Sequence, residues 1–537
     1  MKRIVKRPLA LIMALSLLAG CSSGGNAGGT AQTQAQTAAA SSTTTTNNSG
    51  AAAAAADVGK KDTLVIAMQA EPAAVDSIYA IDDQSGPVAY QIFDSLIRSM
   101  PDNTLVPGLA ESWTYSDDKG EITFTLRKDV KFHNGETMTA EDVAFSLNTA
   151  IAAPQSANVA GFMEKAEVVD GDKVKLTLKQ PYGPIEYCLA TLQLSIFSKS
   201  AYEKDPEGFK RNPVGTGAYK FVEWKTADEI TLEAFDDYYL GAPKIKTLVF
   251  KIIPDTDTQL LALEKGEVDM IHYLPMTSKS TIEGNPNIAI HEAEASSHIN
   301  VTINNQDEIL SNKLVRQAIA HAVDKEAMII GSLDGNGEPS EAPISKGIFG
   351  YPDGVVTFRE YDVEKAKALL AEAGYPNGLK LTITTADRDE HKKRAEILQD
   401  QLTAIGIDCS VETLEWGAFL DKRNSGAYQL TTGEKLATYP DADTFYKYYH
   451  SSAIGSGNEL FTRNDQLDSI LDRGRSSMDI NERKGIYKEL CDLWREECFT
   501  VPLMSKKVAA ATNVGLKNVG ENRTFFGYYY MFNFSWE

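Results

Sequence analysis

The sequence predicts an α/β protein, and two observations support this class. From Asp62 onward, short runs with the alternation of β-strands are interleaved with segments that carry helix caps and helical apolar spacing. Strands that alternate with helices along a whole chain predict sheets covered by helices. The chain has 537 residues, and at roughly 100–200 residues per domain this length predicts about two to four domains.

The first sixty residues differ from this pattern and indicate export. Met1–Arg7 carries four positive charges, Leu9–Leu18 is almost wholly apolar, and small residues precede Cys21. This order is typical of a bacterial export signal at residues 1–20, because the apolar run is shorter than the roughly 20 residues of a spanning helix. The Leu-Ala-Gly-Cys run resembles the lipobox of bacterial lipoproteins, which implies cleavage before Cys21 and lipid attachment to its thiol. Residues 21–58 are rich in small and polar residues, so we expect a flexible tether.

Net charge and cysteine spacing limit which partners and which cysteine sites the sequence allows. The formal charge is −21, which repels phosphate groups and argues against a nucleic-acid partner. The cysteines after Cys21 lack the C-x-x-C spacing of zinc and redox sites, and we expect free, mostly buried thiols. They are Cys188, Cys409, Cys491 and Cys498.

Local patterns predict the individual elements. Strands are expected where β-branched and apolar residues run together or alternate with polar ones: Thr63–Ala67, Glu121–Arg127, Lys173–Leu178, Ile299–Ile303 and Lys380–Thr384. Helices are expected behind capping residues or along leucine spacing: after Thr139, over Thr256–Lys265 and after Asp362. Gly215 and Gly217 predict a tight crossover between domains.

Three groups of motifs go beyond a generic α/β protein. They are Pro107–Trp113 with Thr123–Arg127, Val130–Gly135 and Thr139–Val143; Asn212–Tyr219 with Tyr238–Gly241; and Ala262–Asp269 with Val315–Ile319 and Ala322–Lys325. In their order they resemble the dipeptide-, oligopeptide- and nickel-binding solute receptors, which are family 5 of the bacterial extracellular binding proteins. The resemblance runs from about Asp62 to the C-terminus.

This resemblance implies a two-lobed periplasmic-binding-protein fold of the cluster C type, with an extra domain inserted in the first lobe. The implied limits are 59–98 and 212–300 for the first lobe, 99–211 for the extra domain, 301–504 for the second lobe, and 505–537 for a C-terminal return to the first lobe. Ligand is expected between the lobes, where domain interfaces usually place it. Hinge closure around the ligand would then form the surface that a permease reads.

The second lobe contains the most informative candidate residues. In peptide-binding members, the peptide's ammonium pairs with an Asp in a Gly-Trp-x-x-Asp stretch shortly before a Phe. Matching that stretch on Asp441–Phe445 places Thr438 at the Asp and Lys435 at the Trp. Because a buried ammonium needs a paired anion, Thr438 argues against a peptide held by its N-terminus, unless Asp441 or Asp443 replaces the missing acid. Lys435 either pairs with a ligand carboxylate or is a solvated surface lysine, and we favour the latter.

Other candidates each have a functional and a structural interpretation. The polar stretch Asp82–Pro87 either contacts ligand from the first lobe or is an ordinary turn, Trp416 either lines the cleft or packs in the core, and a structural role is favoured for His298. The residues expected to contact ligand are Asp83, Gln84, Ser85, His298, Trp416, Lys435, Thr438, Tyr439 and Asp441.

The function implied by the resemblance is solute capture. We expect a monomeric, lipid-anchored ABC-importer receptor on the extracytoplasmic face of the bacterial cell membrane, which delivers a peptide or peptide-like ligand to the permease subunits. No motif of a nucleophilic enzyme or P-loop occurs, and no histidine spacing indicates a metal, so we expect neither catalysis nor a cofactor. A ligand-sensing lipoprotein, or a receptor for an oligosaccharide, an opine-like acid or a metal chelate, stays open.

Overall fold

A computed structural model of the chain describes residues 61–352, 354, 357–525 and 527–537. The expected signal, the lipidation site at Cys21 and the tether lie outside these residues. Within the described ranges, no helix has the length and apolar character needed to cross a membrane.

The β-strands follow the chain in this order: β1 Thr63–Met68, β2 Ile97–Ser99, β3 Leu105–Pro107, β4 Ala110–Tyr115, β5 Glu121–Leu126, β6 Met163–Asp170, β7 Lys173–Leu178, β8 Tyr219–Lys225, β9 Glu229–Ala234, β10 Thr247–Ile252, β11 Met270–Leu274, β12 Ile288–Glu294, β13 Ser297–Ile303, β14 Gly337–Pro339, β15 Leu379–Ala386, β16 Ile407–Leu414, β17 Leu430–Leu436, β18 Thr500–Asn513, β19 Leu516–Lys517 and β20 Ser535–Trp536.

The α-helices are α1 Ser85–Ile92, α2 Ala140–Ala152, α3 Ala157–Ala160, α4 Ile185–Leu189, α5 Lys199–Lys204, α6 Pro206–Phe209, α7 Thr256–Glu264, α8 Lys279–Ile282, α9 Lys313–Ala322, α10 Lys325–Leu333, α11 Val363–Glu372, α12 Asp389–Thr403, α13 Trp416–Asn424, α14 Tyr446–Tyr449, α15 Asp465–Ser476 and α16 Ile480–Glu497.

A 12-stranded mixed sheet runs through the molecule in the order β16-β15-β17-β13-β18-β11-β1-β10-β9-β8, with β12 and β14 also paired to β18. The long strand β18 connects two halves of this sheet. Its first residues pair with β13, where Thr500 lies opposite Thr302, and its last residues pair with β11, where Thr512 lies opposite Met270. We call the half with β1 and β8–β12 the first lobe and the half with β13–β17 the second lobe.

Three large hydrophobic cores follow this division. One core lies in the second lobe and extends from Ile299 to Met504 in the sequence, and another lies in the first lobe and includes Leu64 and Phe534. A third surrounds the four-stranded sheet β4-β5-β7-β6 and draws its residues from Leu96 to Ile196, joined by Tyr439 of the second lobe. We call this third core, together with its four-stranded sheet, the extra domain.

Local sequence signals explain the elements that were expected. Thr139 and Asp142 form a capping box at the start of α2, and the side chain of Asp362 caps α11. The five expected strands are confirmed within one or two residues at each end. Side chains alternate between buried and half-exposed along Glu121–Leu126 and Lys173–Leu178, because each strand has one face on the core.

The thiol prediction is also confirmed for the described cysteines. Cys188, Cys409, Cys491 and Cys498 are free and buried. Burial raises the pKa of Cys409 and Cys491 to about 12, so both stay protonated and unreactive near neutral pH.

Candidate functional site

The strand registers place the candidate cleft at the junction of the lobes. Leu274 at the end of β11 lies opposite Ala509, and Leu436 at the end of β17 lies opposite Ser297. In the first lobe, β1 pairs in parallel with both β10 and β11, so these three strands run in one direction. In the second lobe, β15 pairs in parallel with both β16 and β17, so these three strands also share one direction. The carboxyl ends of both sets therefore point toward the crossing between the lobes, and ligands of α/β sheets bind outside such ends.

The second-lobe side of this cleft has a charged cluster that the sequence analysis did not identify. The Lys506 ammonium lies 2.8 Å from a Glu390 carboxylate oxygen and 3.4 Å from one of Glu434. The Ser297 hydroxyl donates a 2.6 Å hydrogen bond to Glu434. These residues come from α12, β17, β13 and β18, so sequence spacing carries no signal for their meeting.

Tyr273 of the first lobe lies within electrostatic range of that cluster. Its side chain is 50% exposed although it belongs to β11 in the middle of the sheet order. Burial of the remainder raises the pKa of Tyr273, and Lys506 opposes that rise. The carboxylates of Glu390 and Glu434 in the second lobe and Asp83 in the first lobe reinforce it. Charges from both lobes thus act on one phenol, which makes the half-exposed Tyr273 a candidate residue of the cleft.

The first-lobe candidates at Asp83–Ser85 are only partly accessible. Residues 82–84 form a turn, as one of the two interpretations held, and α1 begins directly after it at Ser85. The Asp82 carboxylate accepts hydrogen bonds from the backbone N–H groups of Gln84 and Ser85. Ser85 is fully buried, Gln84 is half-buried and Asp83 is exposed. Ser85 as a ligand contact is therefore corrected, since its hydroxyl bonds Asp82 at 2.5 Å inside the protein.

Trp416 lies at the same carboxyl edge of the second lobe, as the first residue of α13. It is half-buried, and the Arg388 guanidinium lies 3.6 Å from the centroid of its ring. His391 contacts the rings of Trp416 and Phe419 edge-on, and burial lowers the pKa of His391 to about 4. Trp416 thus packs against neighbouring side chains and keeps an exposed edge, and its contact with a ligand stays a prediction.

Lys435 corrects both expectations, because its ammonium is buried away from solvent and is already paired with a carboxylate of the protein. It is fully buried and forms an ion pair with Glu459, which also lies 3.1 Å from Arg423. Burial lowers the pKa of Lys435, and Glu459 opposes that shift. A lysine at this depth needs such a partner, because an isolated buried ammonium is costly.

Thr438 is half-buried beside the cleft, and its backbone N–H and hydroxyl form hydrogen bonds within the protein. Its backbone N–H donates to the Thr444 hydroxyl at 2.7 Å, and the two hydroxyls are 2.9 Å apart. The residue following Thr438, Tyr439, is buried in the interface with the extra domain. Its hydroxyl donates to the Asp443 carboxylate at 2.9 Å, which corrects its assignment as a ligand contact.

The two acids expected as substitutes for the missing Asp are already paired with arginines. Asp441 is fully buried and accepts two 2.7 Å hydrogen bonds from Arg483. Asp443 accepts two from Arg475, at 2.8 and 3.1 Å. Bidentate pairs of this kind are among the strongest polar contacts in proteins. Asp441 is therefore a structural residue, and its assignment to the ligand site is corrected.

His298 is also a structural residue, as the favoured interpretation held. It is fully buried in the second lobe, with Nδ1 3.1 Å from the Ser345 hydroxyl and Nε2 3.3 Å from the Tyr449 hydroxyl. Burial lowers the pKa of His298 to about 3, and the positive charge of Lys435 adds to that effect. The imidazole is neutral and packed away from the cleft.

Comparison with known proteins agrees with this geometry. Residues 104–457 match the family model described as bacterial extracellular solute-binding proteins, family 5. The chain is 30% identical over 461 residues to the oligopeptide-binding protein AppA of Bacillus subtilis, covering 81% of this chain and 83% of AppA. It is 27% identical over 521 residues to heme-binding protein A of Haemophilus influenzae, covering 90% and 91% of the two chains.

Solved structures show the same fold. HbpA2 of Haemophilus parasuis superposes with a TM-score of 0.82 at 26% identity, covering 88% of this chain and all of that one. AppA of Bacillus subtilis in complex with a nonapeptide superposes with a TM-score of 0.68 at 26% identity, covering 89% and 99%. The expected two-lobed α/β fold is confirmed, and the chain belongs to family 5 of the bacterial extracellular solute-binding proteins.

Proposed function

We propose that the protein is the ligand receptor of an ABC importer and that it captures a peptide or peptide-like solute in the cleft between its lobes. The observation that carries this proposal is the cleft itself, where Tyr273 and Asp83 of one lobe oppose the Lys506 cluster of the other. Relatives named for binding oligopeptides, D,D-dipeptides and glutathione each cover at least 80% of the chain, which supports the ligand class.

The remaining parts of the proposal concern location and assembly. We propose attachment to the extracytoplasmic face of the membrane through a lipid on Cys21, a monomeric state, and delivery of ligand to permease subunits. The limits 59–98, 99–211, 212–300, 301–504 and 505–537 are proposed as the domain boundaries. Because the family consists of binding proteins, we also propose that the chain catalyses no reaction and holds no cofactor.

The neutral Thr438 bears on how such a ligand would be held. Asp441 and Asp443 are each paired with an arginine, so neither is available to a ligand ammonium. Glu434 is the acid on this strand that is exposed toward the crossing. A ligand amine would therefore meet Glu434, in competition with Lys506, or the ligand would lack a free amine.

A thermal-shift panel tests the ligand class. The purified protein is mixed with di- to pentapeptides, N-acetylated peptides, glutathione, oligosaccharides, an opine acid, nickel with histidine, and haem. Haem is included because of heme-binding protein A. Ligand at 100 times its Kd stabilises the native state by about 2.7 kcal/mol, which raises the unfolding temperature measurably. A response to sugars, haem or nickel alone would replace the peptide class, and no response at all would contradict the proposal.

Two variants then locate the amine contact for a peptide that binds. If Glu434 holds the amine, Glu434→Gln weakens binding about tenfold, because a charge-assisted hydrogen bond is worth about 1.5–3 kcal/mol. Glu164→Gln, at an exposed position of the extra domain, is the matched control and leaves affinity unchanged. Equal affinity of Glu434→Gln and the unchanged protein would exclude that contact.

A further inference from the structure

A second crevice lies beside the segment that crosses between the lobes. Its volume is about 340 Å³. Four separate parts of the chain line it: the crossing segment 293–296, Lys346 and Gly347 of the second lobe, the turn around Asn103, and Arg523–Phe525 of the C-terminal segment. This volume lies in the range of small-molecule sites, which begins at roughly 300 Å³.

Arg523 is the main charged group of this crevice. It is half-buried, and burial lowers its pKa while the Tyr529 hydroxyl, its hydrogen-bond partner, opposes that shift. In the part of the chain that the structure describes, no carboxylate lies within ion-pair distance of its guanidinium. Its charge is therefore not neutralised by the protein.

Several other buried or half-buried arginines of the molecule are paired with a carboxylate. Each of five such side chains contacts a carboxylate within 3.4 Å: Arg316, Arg394, Arg423, Arg475 and Arg483. The pairing has a clear physical reason, because removing a guanidinium from water without an anion costs several kcal/mol. Arg523 lacks a carboxylate partner, and so do the half-buried Arg127 and Arg359, whose guanidinium groups donate to backbone carbonyl oxygens. Arg523 is distinguished by its place in the lining of an open crevice.

The other charges of the crevice leave it net positive. Lys346 lies 2.7 Å from Glu294, so that pair is balanced and the charge of Arg523 remains. The protein as a whole carries a formal charge of −21, which disfavours anions elsewhere on its surface. The side chain of Phe525 and the small residues Ala293 and Ala295 add apolar surface next to the cation.

We propose that this crevice is a binding site for a small organic carboxylate, with the carboxylate group paired to Arg523. A guanidinium presents two parallel N–H donors that match the two oxygens of a carboxylate, so this group fits better than a spherical anion. The carboxylate can belong to a free acid or to the C-terminus of a bound peptide. This proposal does not rest on the proposed peptide import, because binding of free acids can be measured without a peptide.

Titration calorimetry with hippurate and its neutral amide tests the proposal. Hippurate combines a carboxylate with an aromatic ring, and the amide retains the shape without the charge. We expect hippurate to bind at least tenfold more tightly than the amide, Arg523→Gln to lose that preference, and Arg523→Lys to retain part of it. Arg463→Gln, at an exposed position of the second lobe, is the control and retains the preference.

A parallel series distinguishes the two sources of the carboxylate. Peptides with a free or an amidated C-terminus are titrated into the unchanged protein and into Arg523→Gln. If Arg523→Gln loses binding of the peptides with a free C-terminus and keeps that of the amidated ones, Arg523 belongs to the peptide site. If the variant loses binding of hippurate alone, Arg523 belongs to a separate acid site. Both results support the proposal. Equal affinities of both proteins for every carboxylate, or no binding of any carboxylate at millimolar concentration, overturn it. A peptide that binds both proteins equally leaves the import proposal intact.

Discussion

At the residue scale, charge neutralisation decides which acids and bases of this protein can meet a ligand. Asp441, Asp443 and Lys435 all lie near the expected site in the sequence, and each is paired with an opposite charge inside the protein. Their local sequence resembles a ligand loop, yet their carboxylates and ammonium are satisfied. The accessible charges of the cleft come instead from Glu434 and Lys506, which are partly exposed.

His298 leads to a prediction about pH. Its ordinary pKa is about 6.5, and burial lowers it to about 3 in the folded protein. Between these values the unfolded chain binds a proton that the folded protein does not, so the stability contributed by neutral His298 is present above pH 6.5 and is lost as pH falls. From pH 6 to pH 5, we expect the free energy of unfolding to fall less in His298→Gln than in the unchanged protein. The difference between the two decreases is about 1 kcal/mol.

Urea unfolding of both proteins at the two pH values measures this difference. The carboxylates titrate equally in the two proteins, so the comparison isolates the histidine. Parallel pH dependences would show that His298 takes up its proton in the folded state.

At the element scale, close backbone approach fixes how α1 joins β8. The N–H of Gly217 donates to the Ile92 carbonyl at 2.8 Å, and a Cβ at Gly217 would lie 2.5 Å from the Ile92 carbonyl carbon. Gly215 is equally close, with a Cβ position 2.1 Å from the same carbonyl oxygen. The Gly-Thr-Gly motif therefore serves chain packing, and the predicted tight crossover is a contact between backbones.

A pair of glycine substitutions tests this role. Gly217→Ala forces the backbone of Ile92 to move, and we expect a loss of about 1–3 kcal/mol in stability, as for other overpacked sites. Gly485→Ala is the matched control, since Gly485 is exposed in the middle of α16 and a Cβ there has no described atom within 4 Å. The control should gain about 0.5–1 kcal/mol, because alanine favours the helix. Urea unfolding measures both stability changes. A change of the same sign in the two variants would contradict the packing argument.

At the scale of the whole molecule, a buried polar junction holds the extra domain against the second lobe. The Tyr182 hydroxyl of the extra domain donates to Asp443 at 2.7 Å and lies 2.7 Å from the Tyr439 hydroxyl. Phe162 stacks on Tyr182 with ring centroids 3.7 Å apart, and the Arg475 guanidinium lies 5.0 Å from the Phe162 ring. Any movement of the second lobe relative to the extra domain must therefore keep these contacts intact or break them together.

A double-mutant cycle measures the strength of the junction. We expect Tyr182→Phe and Asp443→Asn to be coupled by at least about 1 kcal/mol in the free energy of unfolding, because their hydrogen bond involves a charged acceptor. The control cycle combines Tyr182→Phe with Asp408→Asn, whose exposed carboxylate lies 3.3 Å from Lys380 on the second-lobe surface. That cycle should be additive to within about 0.5 kcal/mol, and similar coupling in both cycles would argue against a specific contact.

The sequence by itself determined the α/β class, the positions of the main strands and helices, and the family, because periodicity, caps and turn residues act over a few neighbouring positions. It did not determine which charges face the cleft. Tyr273, Glu390, Glu434 and Lys506 lie far apart along the chain and meet only because β11, α12, β17 and β18 end at one crossing. Lys435 and Asp441 were misplaced for the same reason, since Glu459 and Arg483, which neutralise them, are brought close only by tertiary packing.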